Sequence, residues 1–296
     1  MNFTTRSKLY LKKYAPSWMF TSIHFVSQHT LNPLREQIFR FRARNFTIPT
    51  TQDVTIEGTT YTFLIDPSNG YHDKQVYVYK IYEPHISKVI KQYSLPGTTC
   101  LDIGANIGYH TVLMSYSVGT SGHVHAFEPL ARVLPQLRTN LLKNNCSNVT
   151  LHEVALSNKE GSALLASEVT NIGNSSIVTT QTETTSSIRT ATLDSLALPK
   201  ISFIKLDVEG HELEMLQGGT ATILRDLPVV LFEFSPVFFQ GNKQQHSKEL
   251  LQFFTEKTYT LYDLEDNNVC VRDIDTFIES FGNGKRSQTN ILALPS

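Results

Sequence analysis

The chain has 296 residues, of which 40% are hydrophobic and 18% are charged, and its formal net charge is −1. This length is sufficient for one large domain with a complete hydrophobic core and an additional segment. The small net charge gives no overall electrostatic reason to bind nucleic acid or acidic membranes, and no apolar run is long enough to span a bilayer.

The first 44 residues are basic and aromatic, with Glu36 as their single acid. Their positive side chains are Arg6, Lys8, Lys12, Lys13, Arg35, Arg40, Arg42 and Arg44. We expect residues 1–49 to form a mostly helical extension that packs its aromatic side chains on the main domain. Peripheral contact of residues 1–44 with a membrane surface, a polyanion or a partner protein is the alternative.

Residues 50–66 alternate polar and apolar side chains around Glu57-Gly58, which predicts a β-hairpin. Residues 84–93 place their apolar side chains on one helical stripe, and Leu95-Pro96-Gly97 should end that helix. We therefore divide the main domain, residues 50–296, into this hairpin and helix over 50–97 and a cofactor-binding core over 98–296.

An apolar run ends at Asp102 and is followed by Gly104 and Gly108, a pattern typical of a strand that leads into a helix beside a bound nucleoside. Glycines allow the backbone to turn sharply and to approach a ligand. Residues 124–128 predict a second buried strand ending in Glu128, the position of a ribose-binding acid in doubly wound sheets. We expect both acids to face one ligand.

A dinucleotide-dependent oxidoreductase would need the glycine pattern G-x-G-x-x-G. Here the second glycine position is Asn106 and the third is Tyr109, so the loop cannot closely approach a pyrophosphate. S-adenosylmethionine, which has no phosphate, fits better, with its ribose at Glu128 and its ammonium group at Asp102. The spacing therefore favours a class I methyltransferase.

The following residues alternate a predicted helix over 131–144 with a predicted strand over 149–155, which indicates a parallel sheet covered on both faces. Residues 157–193 then change to short β-like pieces rich in Ser and Thr, especially over 170–190. An exposed hairpin and a lid over the substrate both remain open for this segment.

Residues 201–206 predict a buried strand, so Lys205 and Asp207, which share one face, need partners. The strand over 229–234 brings Glu233 to the same end of the sheet, where Asp207, Glu209 and Glu233 should converge. Three carboxylates could hold a magnesium ion, although the spacing does not require one. The histidines form no zinc pattern, so we assign no metal site.

Taken together, these motifs resemble the FkbM-type methyltransferases, whose pattern runs D-x-G-A-N-x-G, F-E-P, A-L-S, L-D and K-x-D-x-E-G-x-E. The chain has these motifs, in order, at residues 102–108, 127–129, 155–157, 193–194 and 205–212. The resemblance covers roughly residues 80–294, from Tyr82-Glu83-Pro84 onward. It leaves the first fifty residues unaccounted for.

The resemblance implies methyl transfer from S-adenosylmethionine to a hydroxyl group of a sugar, glycan or secondary metabolite. It also implies an α/β fold with a Rossmann-like, doubly wound, mostly parallel sheet of seven strands, whose last strand is antiparallel. Residues 290–294 would form one of the closing strands. The residues expected at the cofactor are Asp102, Gly104, Ala105, Asn106, Gly108, Tyr109, Glu128, Pro129 and Ala155.

In-line attack on the sulfonium methyl needs an aligned acceptor and a group that takes its proton. Asp207 or Glu209 is the candidate base, and His211 is a second candidate. Lys205 would orient a carboxylate or stabilise the developing alkoxide. The structural alternatives are acids that favour a helix start, a Lys205–Asp207 ion pair and an exposed His211.

Two other functions remain open. A nucleic-acid methyltransferase is disfavoured by the net charge and by the lack of a P-P-Y, P-P-F or P-P-W motif, and a non-catalytic adapter is disfavoured by the intact cofactor motifs. Cys100, Cys146 and Cys270 are widely spaced and form no C-x-x-C pair, which is typical of reduced thiols. With no signal-peptide pattern, we expect a cytoplasmic protein.

Overall fold

The computed structural model describes residues 39–166, 175–178, 180, 182, 185–237, 242–266, 268–281 and 286–296. Most of the expected N-terminal extension therefore lies outside the described residues. Of its last part, residues 39–43 are helical. None of the helices in the described ranges has both the length and the hydrophobicity that a bilayer-spanning helix requires.

The domain begins with the predicted hairpin and helix. Strands β1 (Thr50–Ile56) and β2 (Thr59–Ile65) pair antiparallel, and their turn has Glu57 and Gly58 at positive φ. Helices α1 (Tyr71–Tyr79) and α2 (Pro84–Tyr93) follow. The hairpin and the helix over 84–93 thus form where the sequence pattern predicts them.

The core contains the remaining helices and strands. The helices are α3 (Tyr109–Val118), α4 (Leu134–Lys143), α5 (Glu212–Gly218), α6 (Thr220–Asp226), α7 (Lys243–Thr255) and α8 (Ile274–Glu279). The strands are β3 (Thr99–Ile103), β4 (His123–Phe127), β5 (Val149–His152), β6 (Ala155–Leu156), β7 (Gly161–Ala166), β8 (Ser176–Val178), β9 (Thr185–Ala191), β10 (Ile201–Leu206), β11 (Val229–Phe234), β12 (Tyr259–Asp263), β13 (Val269–Cys270) and β14 (Thr289–Pro295).

The central sheet has the strand order β13–β12–β14–β11–β10–β3–β4–β5. Strands β11, β10, β3, β4 and β5 are parallel, and β14 runs antiparallel between β11 and β12. This confirms the predicted α/β class and the antiparallel last strand. The sheet exceeds the expected seven strands because the two-residue β13 pairs with the outer edge of β12.

Alternating side chains of the buried strands enter two hydrophobic clusters on opposite faces of this sheet. Phe203 packs in one cluster with residues of α2 and α3, and Ile204 packs in the other with residues of α5 and α7. A strand buried on both faces must be apolar on both, which explains the consecutive apolar residues Phe203 and Ile204.

The segment over 157–193 contributes to a second sheet rather than a simple exposed hairpin. Its strand order is β6–β9–β7–β8, and β7 pairs antiparallel with β9 from Gly161–Thr190 to Ala166–Thr185. The strand predicted over 149–155 is therefore interrupted, because Ala155 belongs to β6 of this second sheet and not to β5.

Candidate functional site

In the central sheet, β4 and β5 lie on one side of β3, and β10 and β11, which come later in the chain, lie on its other side. Ligands of open α/β sheets bind where the strand order reverses in this way, outside the carboxyl ends of the strands. At this place the structure has an open pocket, here called the main cavity, with about 720 Å³ of empty space including open solvent. A second open pocket, here called the second cavity, has about 370 Å³ of such space and shares the lining residues His72, Gly104, Asn106 and Asp207 with the first.

One end of the main cavity is apolar and has a single fixed carboxylate. The carboxylate of Glu128 accepts hydrogen bonds from the backbone N–H groups of Asn106 (2.8 Å) and Leu130 (2.9 Å). Burial raises the pKa of Glu128 to about 6. The apolar wall consists of Ile103, Phe127, Leu130, Val133, Val154, Leu156, Leu165 and Ile177.

Gly104, the first glycine after β3, packs so closely against a neighbouring segment of backbone that a side chain would not fit there. Gly104 has φ +81°, and a Cβ there would lie 1.8 Å from the carbonyl oxygen of Asp207. A Cβ at Gly108 would lie 2.5 Å from Leu137 Cδ1. Gly104 lines both cavities, but these two contacts, rather than ligand approach alone, explain why the positions need glycine.

Asp102, which we expected to face the ligand, lies within β3, and its contact with a ligand stays a prediction. Its side chain is fully buried, lines neither cavity and accepts a 2.5 Å hydrogen bond from Thr111 Oγ1. Asp102 lies within β3 and not after it, so its side chain points toward α3 on one face of the sheet. Burial raises the pKa of this carboxyl group despite the nearby ammonium of Lys205.

Lys205 links the two strands at the switch point. Its Nζ donates to the carbonyl oxygen of Gly104 at 3.0 Å and lies 3.2 Å from Asp207 Oδ2 and 3.6 Å from Asp102 Oδ1. Burial opposes its charged form, but the carboxylates of Asp207 and Asp102 raise its pKa overall. The expected pairing of Lys205 with Asp207 is therefore present.

The predicted convergence of three acids is also present. Asp207, Glu209 and Glu233 each offer a carboxylate oxygen, and these oxygens lie within 4.8 Å of one another. Glu233 accepts a hydrogen bond from Ser235 Oγ at 2.6 Å. Burial and the neighbouring carboxylates raise the pKa of Glu209 to about 10 and that of Glu233 well above its ordinary value. Such a cluster could hold protons or a divalent cation.

The crowded carboxylates should make stability depend on pH. Because the pKa of Glu209 in the folded state is about 10 and its ordinary value is 4.5, the folded protein binds this proton more tightly than the unfolded chain. The resulting stability is complete below about pH 4.5 and is lost as the pH rises toward 10. We expect Glu209→Gln to raise the free energy of unfolding by about 1–2 kcal/mol at about pH 8.

Urea unfolding of both proteins between about pH 5 and about pH 9 measures this effect. Glu153→Gln is the matched control, because Glu153 forms an exposed ion pair with Arg138. An identical decline with pH in wild type and Glu209→Gln would contradict the explanation.

His211 is half-buried and lines the main cavity, so it is not the exposed histidine of the structural alternative. Its Nε2 lies 2.9 Å from Ser157 Oγ, and its Nδ1 lies 3.5 Å from Glu214 Oε2. Burial lowers its pKa, so the ring is neutral at neutral pH. The preceding loop is held by Glu212, whose carboxylate accepts from the N–H groups of Val208 (3.3 Å) and Gly210 (3.1 Å).

The other expected cofactor residues divide between the cavities. Pro129 and Ala155 line the main cavity, and Ala105 and Tyr109 line the second cavity. Gly108 lines neither.

Sequence reasoning missed four polar residues at or beside the second cavity, namely His72, Tyr82, Glu83 and His110. His72 connects Tyr82 with the glycine-containing loop, since its Nε2 lies 2.9 Å from the Tyr82 hydroxyl and its Nδ1 lies 3.0 Å from Asn106 Nδ2. His110 Nε2 lies 3.8 Å from Glu83 Oε2. Sequence could have pointed to two of these residues, because Glu83 directly precedes Pro84 in the stretch where the family resemblance begins and His110 follows Gly108 by two residues.

A sequence model of the Methyltransferase FkbM domain matches residues 102–261, more than half of the chain. Hexuronic acid methyltransferase AglP of Haloferax volcanii is 33% identical over 123 residues, which are 40% of this chain and 48% of that protein. The chain thus aligns with about half the length of this curated relative.

Two solved structures are similar at low identity. Methyltransferase FkbM from Methylobacillus flagellatus KT has 15% identity and a TM-score of 0.43, over 88% of this chain and 59% of that chain. A putative O-methyltransferase from Klebsiella pneumoniae has 11% identity and a TM-score of 0.44, over 99% of this chain and 97% of that chain.

Proposed function

Because the chain belongs to the FkbM methyltransferase family, we propose that it transfers the methyl group of S-adenosylmethionine to a hydroxyl group of a sugar, glycan or small metabolite. The observation that carries this proposal is the main cavity at the switch point, with Glu128 fixed at the end of β4. A cavity with apolar walls and one oriented carboxylate is suited to an adenosine.

The cofactor fits the main cavity. Both Glu128 oxygens already accept backbone N–H groups, so the carboxylate is oriented and can still accept from ribose hydroxyls. Leu130, Val133 and Leu156 offer apolar contacts to the adenine. S-adenosylmethionine would supply a methyl group on a positively charged sulfur, which is ready for displacement.

The acceptor hydroxyl would enter at the polar end of the cavity, where Asp207, Glu209 and His211 lie. Asp207 lines both cavities, and its ion pair with Lys205 restricts the orientation of its carboxylate. We assign Asp207 as the group that takes the hydroxyl proton. His211 has both ring nitrogens near other side chains and would instead position the acceptor.

For Glu209 we propose a different role from that of the base. With a pKa of about 10 it is protonated at neutral pH, so it would donate a hydrogen bond to the acceptor. The cluster of Asp207, Glu209 and Glu233 would also fit a divalent cation, which would favour the alkoxide form of the acceptor. The proposed transfer does not require this cation.

A sugar hydroxyl as the acceptor is supported by one relative. The aligned protein from Haloferax volcanii is a hexuronic acid methyltransferase, but the alignment covers 48% of its length. Carboxylates and imidazoles, which this end of the cavity provides, are suitable hydrogen-bond partners for a polyol.

Calorimetric titration with S-adenosylhomocysteine tests the cofactor site. We expect wild type to bind it and Glu128→Gln to weaken binding by about 10- to 100-fold, because a hydrogen bond to a charged acceptor is lost. Glu153→Gln, on the exposed surface, should bind like wild type.

Labelled methyl transfer to a panel of glycans and hydroxylated metabolites, with and without a chelator, then tests the acceptor class. A folded wild type that does not bind S-adenosylhomocysteine would refute the proposal.

A further inference from the structure

A histidine from the segment that precedes the matched family domain reaches the cofactor site. His72 lies in the first turn of α1, before residues 102–261, and it lines both cavities. The next residue, Asp73, is buried, and its carboxylate accepts from the backbone N–H of Asp66 at 2.6 Å and from Gln136 Nε2 of α4 at 2.8 Å. These bonds fasten α1 to the core, so His72 has a defined position beside the site.

Both ring nitrogens of His72 have partners. Nδ1 lies 3.0 Å from Asn106 Nδ2, and Nε2 lies 2.9 Å from the Tyr82 hydroxyl. Because the amide nitrogen of Asn106 can only donate, Nδ1 accepts, and the neutral ring carries its proton on Nε2. Burial lowers the pKa of His72, which keeps the ring in this neutral form at neutral pH. The ring therefore connects α1 with the loop after β3.

The bond to His72 orients the side chain of Asn106. Among the described residues, Asn106 Oδ1 has no hydrogen-bond partner, so the contact with His72 Nδ1 is the hydrogen bond that holds this amide. Asn106 also has φ +49°, a backbone conformation that residues other than glycine adopt rarely. A loop with such a conformation persists only where the surrounding contacts hold it. The imidazole of His72 provides one of these contacts.

Asn106 in turn orients Glu128, since its backbone N–H donates to Glu128 Oε2 at 2.8 Å. Resting on the proposed function, we infer that His72 is a positioning residue for cofactor binding, whose Nδ1 holds Asn106 so that the Glu128 carboxylate meets the ribose hydroxyls. His72 acts through two other residues and needs no contact with the cofactor itself. The segment before the matched domain thus takes part in building the cofactor site.

Two substitutions of His72 separate the roles of its two ring nitrogens. Asparagine Oδ1 is as many bonds from Cα as histidine Nδ1, so His72→Asn keeps an acceptor for the Asn106 amide. The amide of glutamine reaches the position of Nε2 instead, so His72→Gln loses this acceptor. Both variants lose the packing of the ring, and the difference between them therefore reports the contact with Asn106.

Calorimetry with two ligands distinguishes this role from a general disturbance of the site. One ligand is S-adenosylhomocysteine, and the other is its dideoxyribose analogue, in which hydrogen replaces both ribose hydroxyls. We expect wild type to prefer the first by about 30-fold, because the hydroxyls donate to a charged acceptor. The preference should fall below about 5-fold in His72→Gln, with affinity for the analogue retained, and stay above about 15-fold in His72→Asn.

Asn106→Gly is a second test, which remains available if His72→Gln does not fold. It removes the amide, and glycine accepts the positive φ of this position. The preference should again fall below about 5-fold, and in this background His72→Asn and His72→Gln should bind alike, because the contact that distinguishes them is gone. Glu153→Gln, on the exposed surface, should change neither affinity.

Equal preferences in His72→Gln and His72→Asn would overturn the inference, and so would an undiminished preference in Asn106→Gly. A His72→Gln variant that weakens both ligands by the same factor would also overturn it, since a merely structural role has that effect. A wild type that binds both ligands equally would overturn the inference and leave the proposed function standing. A folded wild type that binds neither ligand would refute the proposed function, and the inference with it.

Discussion

Replacing Asp207 by Asn should lower kcat for methyl transfer by about 10³-fold, because a positioned general base contributes on the order of 10²- to 10⁴-fold. Asparagine keeps the shape of the side chain but cannot take the proton of the acceptor hydroxyl. Lys205 would retain Asp102 and the Gly104 carbonyl oxygen as partners, so the fold should survive. Affinity for S-adenosylhomocysteine should change by less than about 3-fold, since Asp207 is assigned to the acceptor and not to the cofactor.

Single-turnover kinetics with saturating cofactor, combined with calorimetry, measures both quantities. Asp275→Asn is the matched control, because Asp275 forms an ion pair with Lys248 at 2.8 Å on the surface. If Asp207→Asn keeps kcat and His211→Gln loses it, the base is His211 and our assignment is wrong.

Replacing Gly104 by Ala should destabilise the protein by about 3 kcal/mol or more and abolish detectable cofactor binding. The added Cβ would lie 1.8 Å from the Asp207 carbonyl oxygen, a contact with backbone that no change of side-chain rotamer can relieve. The loop after β3 or the loop after β10 must move. Both loops line the cavities, so the same substitution affects folding and the site.

Gly58→Ala separates the steric clash from backbone strain. Gly58 has φ +83°, close to the +81° of Gly104, but a Cβ there would have no neighbour within 4 Å. Its cost should be about 1 kcal/mol, with cofactor affinity unchanged. Urea unfolding and titration with S-adenosylhomocysteine measure the two variants. Equal losses of stability in both would show that the contact with Asp207 is unimportant.

Much of the core was predictable because its signals are local. The apolar stretches that end at Glu128 and Asp207 are typical of buried strands, and parallel strands place their carboxyl ends at one edge of the sheet. The convergence of Asp207, Glu209 and Glu233 and the pairing of Lys205 with Asp207 follow from this rule and the two-residue period of a strand.

Asp102 shows what the local sequence signal does not determine. One residue of difference in where a strand ends decides whether a side chain lies on the face of the sheet or beyond its edge. The sequence run up to Ile103 does not determine that end. The structure places Asp102 inside β3, against Thr111 of α3.

The chain's own sequence determined the hairpin over 50–66, the helix over 84–93, the buried strands that lead to Glu128 and Asp207 and the family to which these motifs belong, because each depends on residues close together along the chain. Tertiary structure decided which groups meet across long separations. Glu83 approaches His110, β7 and β8 supply Leu165 and Ile177 to the apolar wall, and Gly104 meets Asp207. Such contacts depend on the packing of separate elements, which periodicity and spacing do not encode.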